Sequence, residues 1–232
     1  MGLENLKTVF FIGTGYEDIL LYLIAVLKVL GLKALVRDCT EKHSFYSCIR
    51  HVGGIDPEIY VLDISGAYYE IKRGDGGYPS SETMENVNNP GPEYNVLFKL
   101  YDVETYKEDA ETDTEPLIVA VTDERRRNIE AFENAWLKRC SVFIVRDYTG
   151  VKEKRINGLL EEMKCEEVYA LPVSERDHKT RIKAEYSERY TFTGISGELE
   201  GCVTGLVKLI AAGWDGKEIK RAIRIAKRGG LK

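Results

Sequence analysis

Gly13-Thr14-Gly15-Tyr16-Glu17-Asp18, GTGYED, is the stretch on which the reading of this sequence turns. The run Thr8-Val9-Phe10-Phe11-Ile12 precedes it and Ile19 to Leu27 follows it, apolar almost throughout. A short β-like run, a turn with two glycines and a helical pattern form a unit whose helix N-terminus can face an anion. The question is whether this turn is a working phosphate cradle or the remains of one.

Outward from that unit, short apolar runs alternate with helical patterns, the signature of a parallel sheet wrapped by helices. The first helix spans about 17 to 30 and stops at Gly31, and a strand follows at 33 to 37. Residues 58 to 64 read as a strand covered on both faces, since they are almost continuously apolar. Leu117 to Val121 and Val142 to Val145 repeat that character, with a helix expected from Arg125 to Arg139 between them. A short strand follows at 168 to 172, and a helix at 198 to 212 places Leu199, Cys202, Val203, Leu206, Leu209 and Ile210 at helical spacing.

Two segments break the rhythm. Residues 73 to 93 carry Gly74, Gly76, Gly77, Pro79, Pro90, Gly91 and Pro92 and read as a long exposed loop. Residues 95 to 103 then read as an edge strand, and 102 to 115 hold seven carboxylates against Lys107 alone, a solvated tract. The whole of 73 to 115 is expected to be an insertion. At the other end, 217 to 232 place seven Lys or Arg against Glu218, with Ile219, Ala222, Ile223 and Ala226 on one face of a short basic helix.

Composition narrows the classes. The 232 residues are 44% hydrophobic, enough for one sizeable core, and one domain spanning 1 to 232 is expected. The net charge of -5 and the mixing of signs argue against nucleic acid as the partner. Five cysteines, at 39, 48, 140, 165 and 202, form no regular framework and fit thiols in a reducing cytoplasm. The longest apolar stretch, 19 to 30, contains Lys28 and falls short of the roughly 20 residues that a membrane span needs.

The order of these pieces resembles the MinD/ParA family of deviant P-loop ATPases. "VFFIGTGYEDILLYLIAVLKVLGLKALVRDCT" is similar to that family's strand, phosphate loop, helix and second strand, the last ending in Asp38. "IYVLDISG" resembles the strand that ends in the switch-II aspartate, which would be Asp63. "PLIVAVTDERRRNIEAF", "FIVRDYTG" and "LPVSERD" resemble the later strands, with "FIVRDYTG" at the base-contacting segment. The resemblance implies a three-layer α/β/α sandwich with a mainly parallel sheet of about seven strands, P-loop NTPase-like.

The loop departs from the family. A working loop needs a lysine for the phosphates and a Ser or Thr hydroxyl for Mg²⁺. On that pattern Glu17 stands at the lysine position and Asp18 at the hydroxyl position, and Ile12 stands where the second lysine of the deviant loop belongs. Two carboxylates facing a triphosphate would meet repulsion of about 4 kcal/mol per charge pair at 4 Å and an effective dielectric of 20. GTGYED therefore reads as a relic site made of Gly13, Thr14, Gly15, Glu17, Asp18, Asp38 and Asp63, with no nucleotide expected. The alternative is ATP or ADP with Mg²⁺ in a rebuilt site, served by a lysine from elsewhere, with Lys42 or Lys152 to Lys154 as candidates. A dinucleotide fingerprint, Gly13-x-Gly15-x-x-Asp18 with Asp38 on a ribose, is a further reading that Asp18 weakens by standing at the third glycine.

Other clusters have a sharp and a plain reading. Cys39, His43, Cys48 and His51 hold zinc-type donors within one short span but match no zinc-module spacing. Arg125, Arg126 and Arg127 read as a solvated helix start or as a partner site for phosphate or carboxylate. Lys220, Arg221, Arg224, Lys227 and Arg228 read as a contact for an acidic partner, an anionic membrane surface, or solvent. Tyr68, Tyr69 and Tyr78 flank the glycine-rich loop and suit a protein interface. No Gly-x-Ser-x-Gly elbow or histidine acid-base motif is present.

The function this implies is non-enzymatic. The resemblance points to a cytoplasmic pseudo-ATPase that serves as a localisation or assembly factor for pilus, secretion or partition machinery through protein contacts, as a homodimer, with peripheral membrane contact as a second expectation. The Tad-pilus localisation proteins are the nearest analogy. The rival expectation is an active nucleotide-dependent switch.

Overall fold

The apolar run Val9 to Ile12 forms the middle of strand β1 (Lys7–Gly13), and every other strand takes its place relative to it. The computed structural model describes residues 7–41, 45, 61–64, 67–70, 94–106, 115–135, 137, 139–186 and 192–229. The further strands are β2 (Ala34–Asp38), β3 (Val61–Ile64), β4 (Ala67–Glu70), β5 (Val96–Tyr101), β6 (Leu117–Asp123), β7 (Val142–Tyr148) and β8 (Glu167–Pro172). Their order across the sheet is β3-β4-β2-β5-β1-β6-β7-β8. Every pairing is parallel except β3 with β4, so seven parallel strands carry one antiparallel strand at the edge.

The period of a strand divides the core into two layers. Val9 and Phe11 of β1, with Val119 of β6 and Ile144 of β7, face helices α1 (Glu17–Val29), α5 (Gly197–Ile210) and α6 (Gly216–Gly229). Phe10 and Ile12, with Ala120 and Phe143, face α2 (Arg126–Asn134) and α3 (Glu153–Met163) through Ile129, Phe132, Ile156, Leu159 and Met163. A further helix, α4 (Glu175–Tyr186), follows β8. The three-layer α/β/α architecture expected from the sequence is thus present.

Helix α1 is the central beam. All residues from Asp18 to Leu27 are buried, because the sheet lies on one side of the helix and α5 and α6 lie on the other. Gly31, with φ of 76°, reverses the chain just beyond it. Helix α6 spends its apolar stripe on this packing: Ile219, Ala222, Ile223 and Ala226 are all buried in the cluster that holds α1. The basic residues are left outside, with Lys220, Arg221, Arg224 and Arg228 exposed and Lys227 paired with Glu200 of α5.

Two expectations are corrected. The stretch 95 to 103 is no edge strand inside an insertion: β5 lies between β2 and β1, paired in parallel on both sides. Val96, Phe98 and Leu100 are fully buried, which shows why so short a run earns a central place. Conversely, the stretch 58 to 64 supplies β3, an antiparallel edge strand. Only two positions separate Ile64 from Ala67, and a parallel connection needs a dozen or more. Residues 71–93 and 107–114, and with them the acidic tract between Tyr106 and Glu115, lie outside the described residues.

Candidate functional site

The turn after β1 is built on close backbone contact. Gly13 has φ of 119°, and a Cβ there would lie 1.9 Å from the carbonyl oxygen of Val121 in β6, so no other residue fits. The next amide, Thr14 N–H, donates to that same Val121 oxygen at 3.1 Å. Gly15, φ 75°, completes the turn, and buried Tyr16 leads into α1. The glycines thus serve the tight passage over β6 in the way the sequence suggests.

The first turn of α1 then sets two carboxylates side by side. Burial pushes the Glu17 carboxyl above its ordinary range; hydrogen bonding at its own backbone, Arg146 and Arg181 pull it down, and Asp18 adds to the rise. Asp18 is buried, and its Oδ1 accepts from the Ile19 amide at 2.9 Å. Its main partner comes from two strands away. Arg146, the residue after the apolar run of β7, donates from Nη1 to Oδ1 at 2.8 Å and from Nη2 to Oδ2 at 3.0 Å.

That fork on a carboxylate is the strong form of an ion pair, and its low exposure makes it matter. Burial works against the guanidinium charge, yet Asp18 beside it, with Asp147 and Asp177 further off, holds Arg146 above the ordinary arginine value. The side chain crosses over the loop, its Cγ 4.0 Å from where a Cβ of Gly15 would sit. Sequence reading placed Arg146 near a base-contacting segment and missed its role. The available signal was a lone charge ending the buried run Val142 to Val145.

Beyond Arg146 a cavity of about 520 Å³ opens at the C-terminal ends of β7 and β8, where open α/β sheets bind their ligands. Arg146, Asp147, Leu171, Ser174, His178 and Arg181 line it, among others. Asp147 adopts φ of 51°, and Arg181 Nη2 lies 3.3 Å from His178 Nδ1. Asp177, also in the lining, accepts from Ser196 N and Ser196 Oγ at 2.6 Å each and so ties α4 to the start of α5. The "LPVSERD" segment therefore forms the cavity wall.

The remaining candidates fall in several places. Asp38, at the end of β2, is buried and accepts from Thr40 Oγ1 at 2.5 Å; β5 separates its strand from β1. Asp63 is not brought to the loop: it lies in β3, with β4, β2 and β5 between it and β1. The strand beside β1 is β5, and the residue after it is Asp102, whose Oδ2 accepts from the Glu41 amide at 2.8 Å. Lys152 and Lys154 are exposed, and Lys42 lies outside the described residues.

Of the arginine run, Arg125 caps α2 and pairs with Asp123, and Arg126 donates to Glu130 at 2.7 Å, so two of the three charges have partners within the chain. Of the zinc-type set only Cys39 is described, and among the described residues no three His, Cys, Asp or Glu gather as a metal site. Tyr68 and Tyr69 fall in β4, while Tyr78 lies outside the described residues. No helix among the described residues is long and apolar enough to cross a membrane.

Solved structures share this fold. The MinD cell division protein of Aquifex aeolicus matches with a TM-score of 0.51 at 15% identity, over 94% of this chain and 95% of that one. The chain has a MinD-like P-loop ATPase fold. The MinC:MinD cell division protein complex of the same organism matches with a TM-score of 0.49 at 14% identity, over 77% of this chain and 86% of that chain. No family model and no curated protein matches the sequence. GTGYED lies at the junction of β1 and α1.

Proposed function

We propose that this chain is a MinD/ParA-like pseudo-ATPase, a localisation or assembly factor that works through protein contacts and not by turnover of nucleotide. The observation that carries the reading is the Arg146–Asp18 pair. A Mg²⁺-triphosphate needs a lysine and a hydroxyl at the start of α1, and the chain offers Glu17 and Asp18. The Arg146 guanidinium beside the loop is already matched by the Asp18 carboxylate through Nη1 and Nη2. The Thr14 amide is spent on Val121. These residues do not fit the cofactor of a working P-loop.

Protein contact fits the remaining surface. Lys220, Arg221, Arg224 and Arg228 face outward on α6 without an ion-pair partner among the described residues, and they suit an acidic partner. Membrane contact through the same helix would rest on charge, since its apolar stripe is covered by α1. Pilus, secretion or partition machinery is the setting proposed by analogy with the fold, and homodimer formation belongs to the same analogy.

A second reading is favoured by one observation. A cavity of about 520 Å³ adjoins a guanidinium at the loop, and release of Arg146 from Asp18 would leave a cation facing it. This is the switch with a rebuilt site. Phosphate release from ATP by the purified chain with Mg²⁺ separates the two: the pseudo-ATPase releases none above buffer. Turnover that disappears in Arg146→Met would establish the switch instead.

A further inference from the structure

Two of the five cysteines, twenty-five positions apart in the chain, are brought together by the sheet. Strands β7 and β8 pair in parallel with Val142 opposite Glu167. The ladder runs on backwards from that pair: Glu167 N donates to Ser141 O at 3.0 Å and Glu166 N to Cys140 O at 3.3 Å. Two steps before Val142 and Glu167 stand Cys140 and Cys165. Both pack on the α2–α3 side of the core, Cys140 within the cluster and Cys165 against it. Neighbouring strands lie about 4.8 Å apart, within the roughly 4.4–6.8 Å that a disulfide requires between Cα atoms.

We propose that Cys140 and Cys165 form a thiol–disulfide modification site that exchanges with small-molecule disulfides. The two thiols differ in access. Cys140 is fully buried and its Sγ–H donates to Val142 O at 3.0 Å, whereas Cys165 is partly exposed. Each is the largest influence on the other, which pushes Cys140 up and pulls Cys165 below the ordinary thiol value. Cys165 is therefore the attacking group and Cys140 the resolving one.

The steps balance without a metal or a further cofactor. The Cys165 thiolate attacks one sulfur of an external disulfide, forms a mixed disulfide and expels one thiolate, which takes up a proton. Cys140 loses its proton and attacks Cys165 Sγ, expelling the second thiol. Two protein thiols are oxidised and one external disulfide is reduced to two thiols. The bond joins the leading ends of β7 and β8, whose far ends carry Arg146 and the cavity wall at Leu171.

The test is incubation of the folded full chain with oxidised glutathione, followed by acid quench, alkylation, intact mass and peptide mapping. The expected product has lost two hydrogens and two alkylatable thiols, yields one cross-linked peptide pair containing Cys140 and Cys165, and reverts with dithiothreitol. Cys140→Ser is expected to stop at a glutathione adduct on Cys165, and Cys165→Ser to give no cross-link. Unreacted Cys140 and Cys165 in the wild type, a stable adduct there without cross-link, or a bond to another cysteine would each overturn the assignment. The wild-type mapping decides even if a variant does not fold.

Discussion

Arg146 and Asp18, 128 positions apart in the chain, meet as fork and carboxylate, with N–O distances of 2.8 and 3.0 Å and only 11% and 10% of their side-chain surface exposed. The pair joins the end of β7 to the first turn of α1. It places one internal ion pair beside the turn between β1 and α1.

Removing one partner strands the other as an uncompensated buried charge. Arg146→Met and Asp18→Asn are each expected to cost about 3–5 kcal/mol in urea unfolding, and Arg146→Met with Asp18→Leu together to cost less than either single change. Additive losses in the double variant would show that the pair is not a unit.

The loop backbone should be as demanding as the pair. Gly13→Ala sets a methyl group 1.9 Å from the Val121 carbonyl at a φ of 119°, and is expected to cost about 2 kcal/mol or more. A neutral result in thermal unfolding would mean that β1 and β6 part more easily than their contact implies.

Glu17 gives the account a pH signature. A carboxyl whose folded-state value is raised above 4.5 favours the fold in its protonated form; that contribution is complete below pH 4.5 and lost as pH rises through the folded-state value. Glu17→Gln stays neutral throughout. Its urea midpoint is therefore expected to match the wild type at the acid end and exceed it once Glu17 has ionised, and parallel pH profiles would contradict the burial of this side chain.

Helix α5 starts at a cap with a second duty. Ser196 Oγ accepts from the Leu199 amide at 3.1 Å while bonded to Asp177 of α4. Ser196→Ala is expected to cost about 1–2 kcal/mol, measurable by denaturant titration.

The two sides of α6 should respond in opposite ways. Ile223→Ala opens a gap against the core and is expected to cost about 2–5 kcal/mol, while Arg221→Glu and Arg224→Glu stay within about 0.5 kcal/mol. Stability unchanged by Ile223→Ala would mean that the apolar stripe is not held by α1.

Much of this architecture was legible because periodicity and burial agree. The runs at 8 to 12, 117 to 121 and 142 to 145 are apolar on both sides, and both sides are covered by helices. Strand β5 was misread because Leu97 and Lys99 alternate with its buried residues, a half-covered pattern that also describes an edge. Strand β3 was misread because composition does not reveal direction; the two-position gap before β4 does. At the loop, the two carboxylates at 17 and 18 were plain. What answers Asp18 was not, since pairing across 128 positions leaves no local trace and only the sheet order sets Arg146 beside α1.

The most direct measurement of the central claim is calorimetric titration of the purified chain with ATP and with ADP, each with Mg²⁺, to millimolar nucleotide. No binding heat and no thermal stabilisation are expected, because Arg146 is held by Asp18 and the first turn of α1 carries Glu17 and Asp18. Micromolar binding of either nucleotide would contradict that claim.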